Sequence, residues 1–162
     1  MRKLLGRLAL SALVAPAAVA AVMIASPAQA AVAKPTEKTL QAEVNRLINV
    51  ERTSHGCAPL TENKALTAAA RTHSAWMAQT GAFSHTGNAG SNFVARAKAA
   101  GYAKPSAENI AYGYRTADTV VQGWMNSTGH RTNILNCKSK TVGVGVVFSA
   151  SGTPYYTQDF GF

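Results

Sequence analysis

TVGVGVVFSASGTPYYTQDFGF, residues 141–162, is the stretch that decides the fold class. Val142, Val144, Val146 and Phe148 fall on alternate positions, the period of a strand with one apolar face. Gly143 and Gly145 leave the opposite face bare, which predicts that another element packs closely against it. SASGT, 149–153, reads as a turn and PYYTQDFGF as a second strand, so the two make a hairpin. ENIAYGY, 108–114, is expected to supply a third strand.

Upstream the period changes to that of helices. Leu40, Val44, Leu47 and Ile48 share one face of a helix expected from about Glu37 to Thr53, broken by Gly56 and Pro59. A second helix is expected after Thr61 as N-cap, with Leu66, Ala69, Ala70, His73, Trp76 and Met77 inward and Gly81 as its stop. A third runs from a Ser91 cap through Ala100. Thr116 and Asp118 open a fourth, whose inner residues are Val120, Val121, Trp124 and Met125. Helices outnumber strands, the strands are expected to be antiparallel, and no repeat or linker divides the chain. The fold class is α+β.

The first thirty residues read differently. Arg2, Lys3 and Arg7 precede an apolar run from Leu8 to about Ile24, and SPAQA supplies small residues at a cleavage site. This is the pattern of a secretory signal peptide over 1–30, cut before Ala31, rather than a permanent membrane anchor. The chain carries 16 Lys and Arg against 7 Asp and Glu; three of the basic residues lie in the leader, so the net charge of +9 falls to +6 on its removal. The excess is spread out and not interleaved with aromatic platforms, which argues for a soluble cationic surface rather than a nucleic-acid site. Export also places Cys57 and Cys137 in an oxidising compartment, where pairing is the default. A bridge would close a loop of about 80 residues, worth roughly 4–5 kcal/mol in the chain-entropy model. Two separate buried thiols are the alternative.

Four histidines are the candidates for chemistry. His55 sits at a helix end beside Gly56 and reads as solvated. His73 lies on an apolar stripe and reads as a core histidine. His85 follows Phe83 and Ser84 and opens a polar, glycine-containing loop. His130 stands within WMNSTGHRTNIL, 124–135, where the last turn of a helix would let it interact with the terminal carbonyls. Arg131 and Asn133 are expected to hold the next loop through side-chain hydrogen bonds. Glu108 is the only carboxylate between Glu62 and Asp118, and it enters an apolar strand, where it needs a partner. His85, Glu108 and His130 could converge on a divalent ion or a proton-transfer site, but their spacing alone is not a known ligand pattern.

FSH at 83–85, AENIA at 107–111, WMNSTGHRTNIL, VGVGV at 142–146 and YYTQDFG at 155–161 come in an order that resembles the CAP superfamily, or SCP domain. NxxR at Asn49 and the GCAPL segment agree. The resemblance is nearest to the bacterial secreted branch. It covers residues 40–162, after a short N-terminal tail at 31–39. It implies an α-β-α sandwich with a small antiparallel sheet between helical layers. In many members two histidines and two glutamates line a central cleft and can bind zinc or another divalent cation. By motif, His85 and His130 match the histidines, which makes them the expected metal ligands, and Glu108 matches one acid, with Ala107 in place of a glycine. Ser127 stands where animal-type members have the second glutamate, so the tetrad is incomplete.

The resemblance implies a secreted, monomeric protein whose cleft, with Glu108 and Ser127, binds a divalent metal or a small or lipid ligand. The unknown partner would be a lipid or cell-envelope component, with no nucleic acid and no transmembrane anchor after processing. One alternative is a metal-dependent hydrolase of peptide or cell-envelope substrates, with Glu108 as the catalytic base. Another is an extracellular interaction module with an idle cleft.

Overall fold

A computed structural model describes residues 34–162. The leader at 1–30 and its cut site lie outside them. In chain order the described residues form helix α1 (Glu37–Ser54), strand β1 (Thr61–Glu62), α2 (Lys64–Thr80), α3 (Phe93–Ala99), β2 (Pro105–Tyr112), α4 (Ala117–Met125), α5 (Thr128–Ile134), β3 (Thr141–Phe148) and β4 (Pro154–Gly161). α1 begins at Glu37, where the helical period starts, and Thr36 caps it by accepting from the Thr39 amide.

The sheet order is β1-β3-β4-β2. β4 pairs antiparallel with β3 on one side and β2 on the other. β1 pairs parallel with β3, so the sheet is mixed rather than wholly antiparallel. After Pro59 the chain lies beside the start of β3, where Thr61 N–H donates to Lys140 and Asn63 N–H to Val142. Thr61 is therefore a strand residue. The cap of α2 is Asn63, whose Oδ1 accepts from Ala65 and Leu66. Asn92 likewise caps α3 in place of Ser91.

Helical layers cover both faces. Leu40, Val44 and Ile48 of α1 and Val120, Val121 and Trp124 of α4 bury against Val142, Val144, Val146, Tyr156 and Phe160. The glycine face of β3 receives α2. A Cβ at Gly143 would collide with the Leu66–Thr67 peptide, and one at Gly145 with the Ala70–Arg71 peptide. The bare face in the sequence is thus the seat of a helix backbone. Overpacking costs about 1–3 kcal/mol where side chains can give way, and more where the obstacle is main chain.

Side chains cover the open edge of β2 and the part of β3 that β1 leaves unpaired, which removes a site of edge-to-edge association. On β3, Gln41 of α1 accepts from Val146 N–H at 3.2 Å and Glu37 from Phe148 N–H at 3.0 Å. On β2, Trp124 Nε1 donates to the Ile110 carbonyl at 3.2 Å and Asn133 Nδ2 to the Glu108 carbonyl at 3.4 Å.

Cys57 and Cys137 form a disulfide with Cα atoms 5.0 Å apart. Beside it Arg52 is fully buried. Its guanidinium donates to the carbonyls of Ala58, Ile134, Asn136 and Ser139, so α1 grips the segment that leads from α5 into β3. Asn49 closes the same corner by bonding both backbone groups of Leu60.

Candidate functional site

Glu108 projects from edge strand β2 with its side chain 1% exposed. Oε1 accepts from His85 Nδ1 at 2.8 Å, and Oε2 accepts from Arg96 Nη2 at 2.5 Å. The partner that a carboxylate in an apolar strand requires is thus supplied twice, and both oxygens are occupied. An ionised carboxylate only accepts, so His85 Nδ1 carries the hydrogen and the neutral ring keeps its lone pair on Nε2. The His85 side chain is 59% exposed and opens to solvent from the loop joining α2 to α3.

Arg96, on α3, also donates to the His85 carbonyl at 3.1 Å and the Ser91 carbonyl at 2.6 Å. One guanidinium therefore neutralises Glu108 and pins the loop that carries His85. The sequence reading missed it. The available signal was the lone buried acid, which demands a cation, and the basic residues of α3 were the ones at hand. His73 is the core histidine expected, and it serves this loop as well: Nε2 lies 2.9 Å from the Ser84 carbonyl, so it donates there. Burial lowers its pKa.

Asp159 was also missed, quoted only within a strand motif. It faces Glu108 across the β2–β4 ladder and is fully buried. Neither carboxyl oxygen has a hydrogen-bond partner. Burial, reinforced by the charge of Glu108, holds its pKa well above the ordinary carboxylate range.

His130 does not end a helix. α4 stops at Met125 and the chain reinitiates at Ser127, which makes His130 a first-turn residue of α5. Its Nδ1 lies 2.8 Å from Ser127 Oγ, the contact expected of residues three apart. Burial, with a smaller contribution from His85, lowers its pKa, so the imidazole is neutral near neutral pH. Asn133 bonds Asn109 Oδ1 at 2.9 Å, and Asn109 donates to the His130 carbonyl at 3.3 Å. These bonds lace α5 to β2 rather than to the following loop. Arg131 reaches His55, which is exposed as expected, at 3.3 Å.

Two concavities open along β2. One of 380 Å³ is lined by His85, Glu108, Phe93 and Asn133. Further along, a groove of 440 Å³ holds Ser127 and His130 beside Phe83, Tyr112 and Tyr114. A concavity of 680 Å³ over α5 contains neither histidine. His85 thus meets Glu108, and Ser127 meets His130, but the four do not close into one cluster. Among the described residues no group of three or more His, Cys, Asp or Glu side chains is placed to hold an ion.

Residues 46–160 match the profile of CAP, the cysteine-rich secretory protein family. The chain belongs to the CAP family. It is 39% identical over 119 residues to the uncharacterized protein YkwD of Bacillus subtilis, covering 73% of this chain and 45% of that protein. It is 34% identical over 129 residues to the uncharacterized membrane protein YlbC of the same organism, covering 78% and 36%. The chain thus spans less than half the length of either relative. Among solved structures, an extracellular protein containing an SCP domain from Bacillus anthracis aligns with a TM-score of 0.71 and 29% identity, over 77% of this chain and 41% of that one. The CAP sandwich accounts for the layers described above. Among the described residues no helix is long and apolar enough to cross a membrane.

Proposed function

We propose that this CAP domain acts outside the cell, after removal of the 1–30 leader, and that its ligand cleft is the histidine-flanked edge of β2. The observation that carries this reading is the preparation of two imidazoles. Each engages a partner through Nδ1, His85 with Glu108 and His130 with Ser127, so that the second ring nitrogen of each is left over. This is how metal-binding and ligand-binding histidines are oriented.

The donor set limits what such a cleft holds. Glu108 has both oxygens taken by His85 and Arg96, and a serine is a poor ligand. The residues fit a weak, open site for zinc or a similar divalent ion, held by His85 and His130 and completed by water or ligand. They do not fit a closed structural site. A bound ion would supply charge to polarise a ligand oxygen. Glu108 fits a positioning role, fixing the His85 tautomer, better than that of a free base. The charge of +6 on the processed chain suits an anionic cell envelope.

Calorimetric zinc titration of the wild type and of His85→Ala and His130→Ala tests the reading. Both variants are expected to fold and to lose most of the affinity, because neither ring is core packing. His73→Ala should lower stability and leave zinc binding nearly intact. Unchanged affinity in both cleft variants rejects the two-imidazole site.

A further inference from the structure

The groove beside His130 has a composition that the ion does not explain. Three of the large apolar side chains exposed on the described surface converge there: Phe83 (48% exposed), Tyr112 (51%) and Tyr114 (39%). The Phe83 and Tyr112 rings lie 4.8 Å apart, and Tyr112 stacks on Tyr155 at 5.6 Å, so the platform is braced from beneath. Tyr114 lies over α4 because residue 123 is glycine; a Cβ there would come within 2.6 Å of its hydroxyl. The Tyr114 carbonyl accepts from the Tyr156 hydroxyl at 2.6 Å, which fixes the backbone at this point. Trp124 closes the wall, and the inner end carries Ser127 and His130.

No Asp, Glu, Lys or Arg side chain lines this groove among the described residues. Apart from an ion on His130, a charged ligand group would find no ionic partner there, so the organic occupant is uncharged. The groove is open and its rings are about half exposed, so it cannot take a long acyl chain out of water. Its volume of 440 Å³ suits a compact ligand. Flat aromatic faces next to hydroxyl and imidazole groups instead match a ligand with an apolar ring face and many hydroxyls.

We propose that the groove formed by Phe83, Tyr112 and Tyr114 binds a short neutral glycan. A sugar ring stacks on Tyr112 and Phe83, and its hydroxyls bond Ser127, His130 and the Tyr114 hydroxyl. This rests on the reading of the β2 edge as a ligand cleft, and names the chemical class that its aromatic end takes.

The test is a titration of the protein, by calorimetry and by NMR of its backbone amides, with chitotetraose in its N-acetylated form, with laurate and with glucose 6-phosphate. N-acetylchitotetraose is expected to bind, shifting amides around residues 83, 112 and 114, while laurate and the phosphorylated sugar bind at least tenfold more weakly. Tyr112→Ala and Phe83→Ala should each weaken glycan binding tenfold or more, and Phe162→Ala, an exposed aromatic outside the groove, should not. Zinc affinity should be unchanged in Tyr112→Ala, so failure of the glycan and failure of the ion site are read separately. No glycan binding at millimolar concentration, preference for laurate, or binding indifferent to Tyr112 and Phe83 would each overturn the proposal.

Discussion

Two arginines in this molecule do the same mechanical work for different ends. Arg52 gathers four backbone carbonyls beside the disulfide and meets no carboxylate; burial lowers its pKa. Arg96 gathers the carbonyls of His85 and Ser91, donates to Glu108 through Nη2 and leaves its buried Nε without a partner. The first locks the fold through main-chain carbonyls alone. The second couples the lock to an acid that in turn orients a histidine. A buried cation that bonds only main chain is a structural clasp. One that also holds an ionised side chain beside an exposed imidazole belongs to a site.

The sharpest way to break the comparison is to remove the Arg52 corner entirely. Cys57→Ser with Cys137→Ser is expected to cost about 4–5 kcal/mol, from the loop the bridge closes. Arg52→Met is expected to cost more than about 3 kcal/mol, since four acceptors lose a charged donor at once. Urea denaturation measures both. A loss below 1 kcal/mol for Arg52→Met would mean that water replaces the guanidinium and the clasp is ornamental.

Arg96→Met should cost less, about 2–3 kcal/mol, because the loop it holds is partly exposed. It should also weaken zinc binding through His85, which Arg52→Met, wherever it remains folded, should not. Glu108→Gln on the Arg96→Met background should recover part of the stability, since the buried charge left alone is removed. A double-mutant cycle by denaturation checks this, and additive losses would show that the two groups do not interact.

The hairpin, the glycine face that seats α2, the core stripe of α1 and the Cys57–Cys137 pairing were legible from period, composition and compartment. The two-residue β1 was not, because Thr61 reads equally as a cap or a strand, and only the Lys140 carbonyl decides. For the site, motif order singled out His85, Glu108 and His130 as residues of one cleft, each on a different element. It did not place Arg96 or Asp159, since a residue's partner across the fold leaves no local trace. The setting of His130 was misjudged because an apolar helix entering STGH reads as one that ends. A helix restarting one residue after its predecessor's cap has the same composition.

Ser127→Glu adds the acid missing from the incomplete tetrad and should strengthen zinc binding several-fold by calorimetry. Weaker binding would place the serine outside the ion's reach. The smallest effect concerns Asp159. Its folded pKa is raised, so the group costs stability above the ordinary value of 3.8 and costs nothing below it. Asp159→Asn should therefore raise Tm by a few degrees at pH 7, with the gain vanishing towards pH 3. His73 and His130 act with the other sign. Their lowered pKa values leave the unfolded chain binding more protons, so stability falls as pH drops below about 6.5. Thermal melts from pH 3 to 8 separate the two.

The claim that the Arg96–Glu108 pair sets a cleft histidine is tested most directly by nitrogen-15 NMR of the imidazole rings at pH 7.5, with and without zinc. His85 is expected as the Nδ1–H tautomer, its Nε2 resonance and that of His130 moving together as zinc is added, while His55 and His73 stay still. A His85 ring in the Nε2–H tautomer, or Nε2 resonances of His85 and His130 indifferent to zinc, would contradict the account.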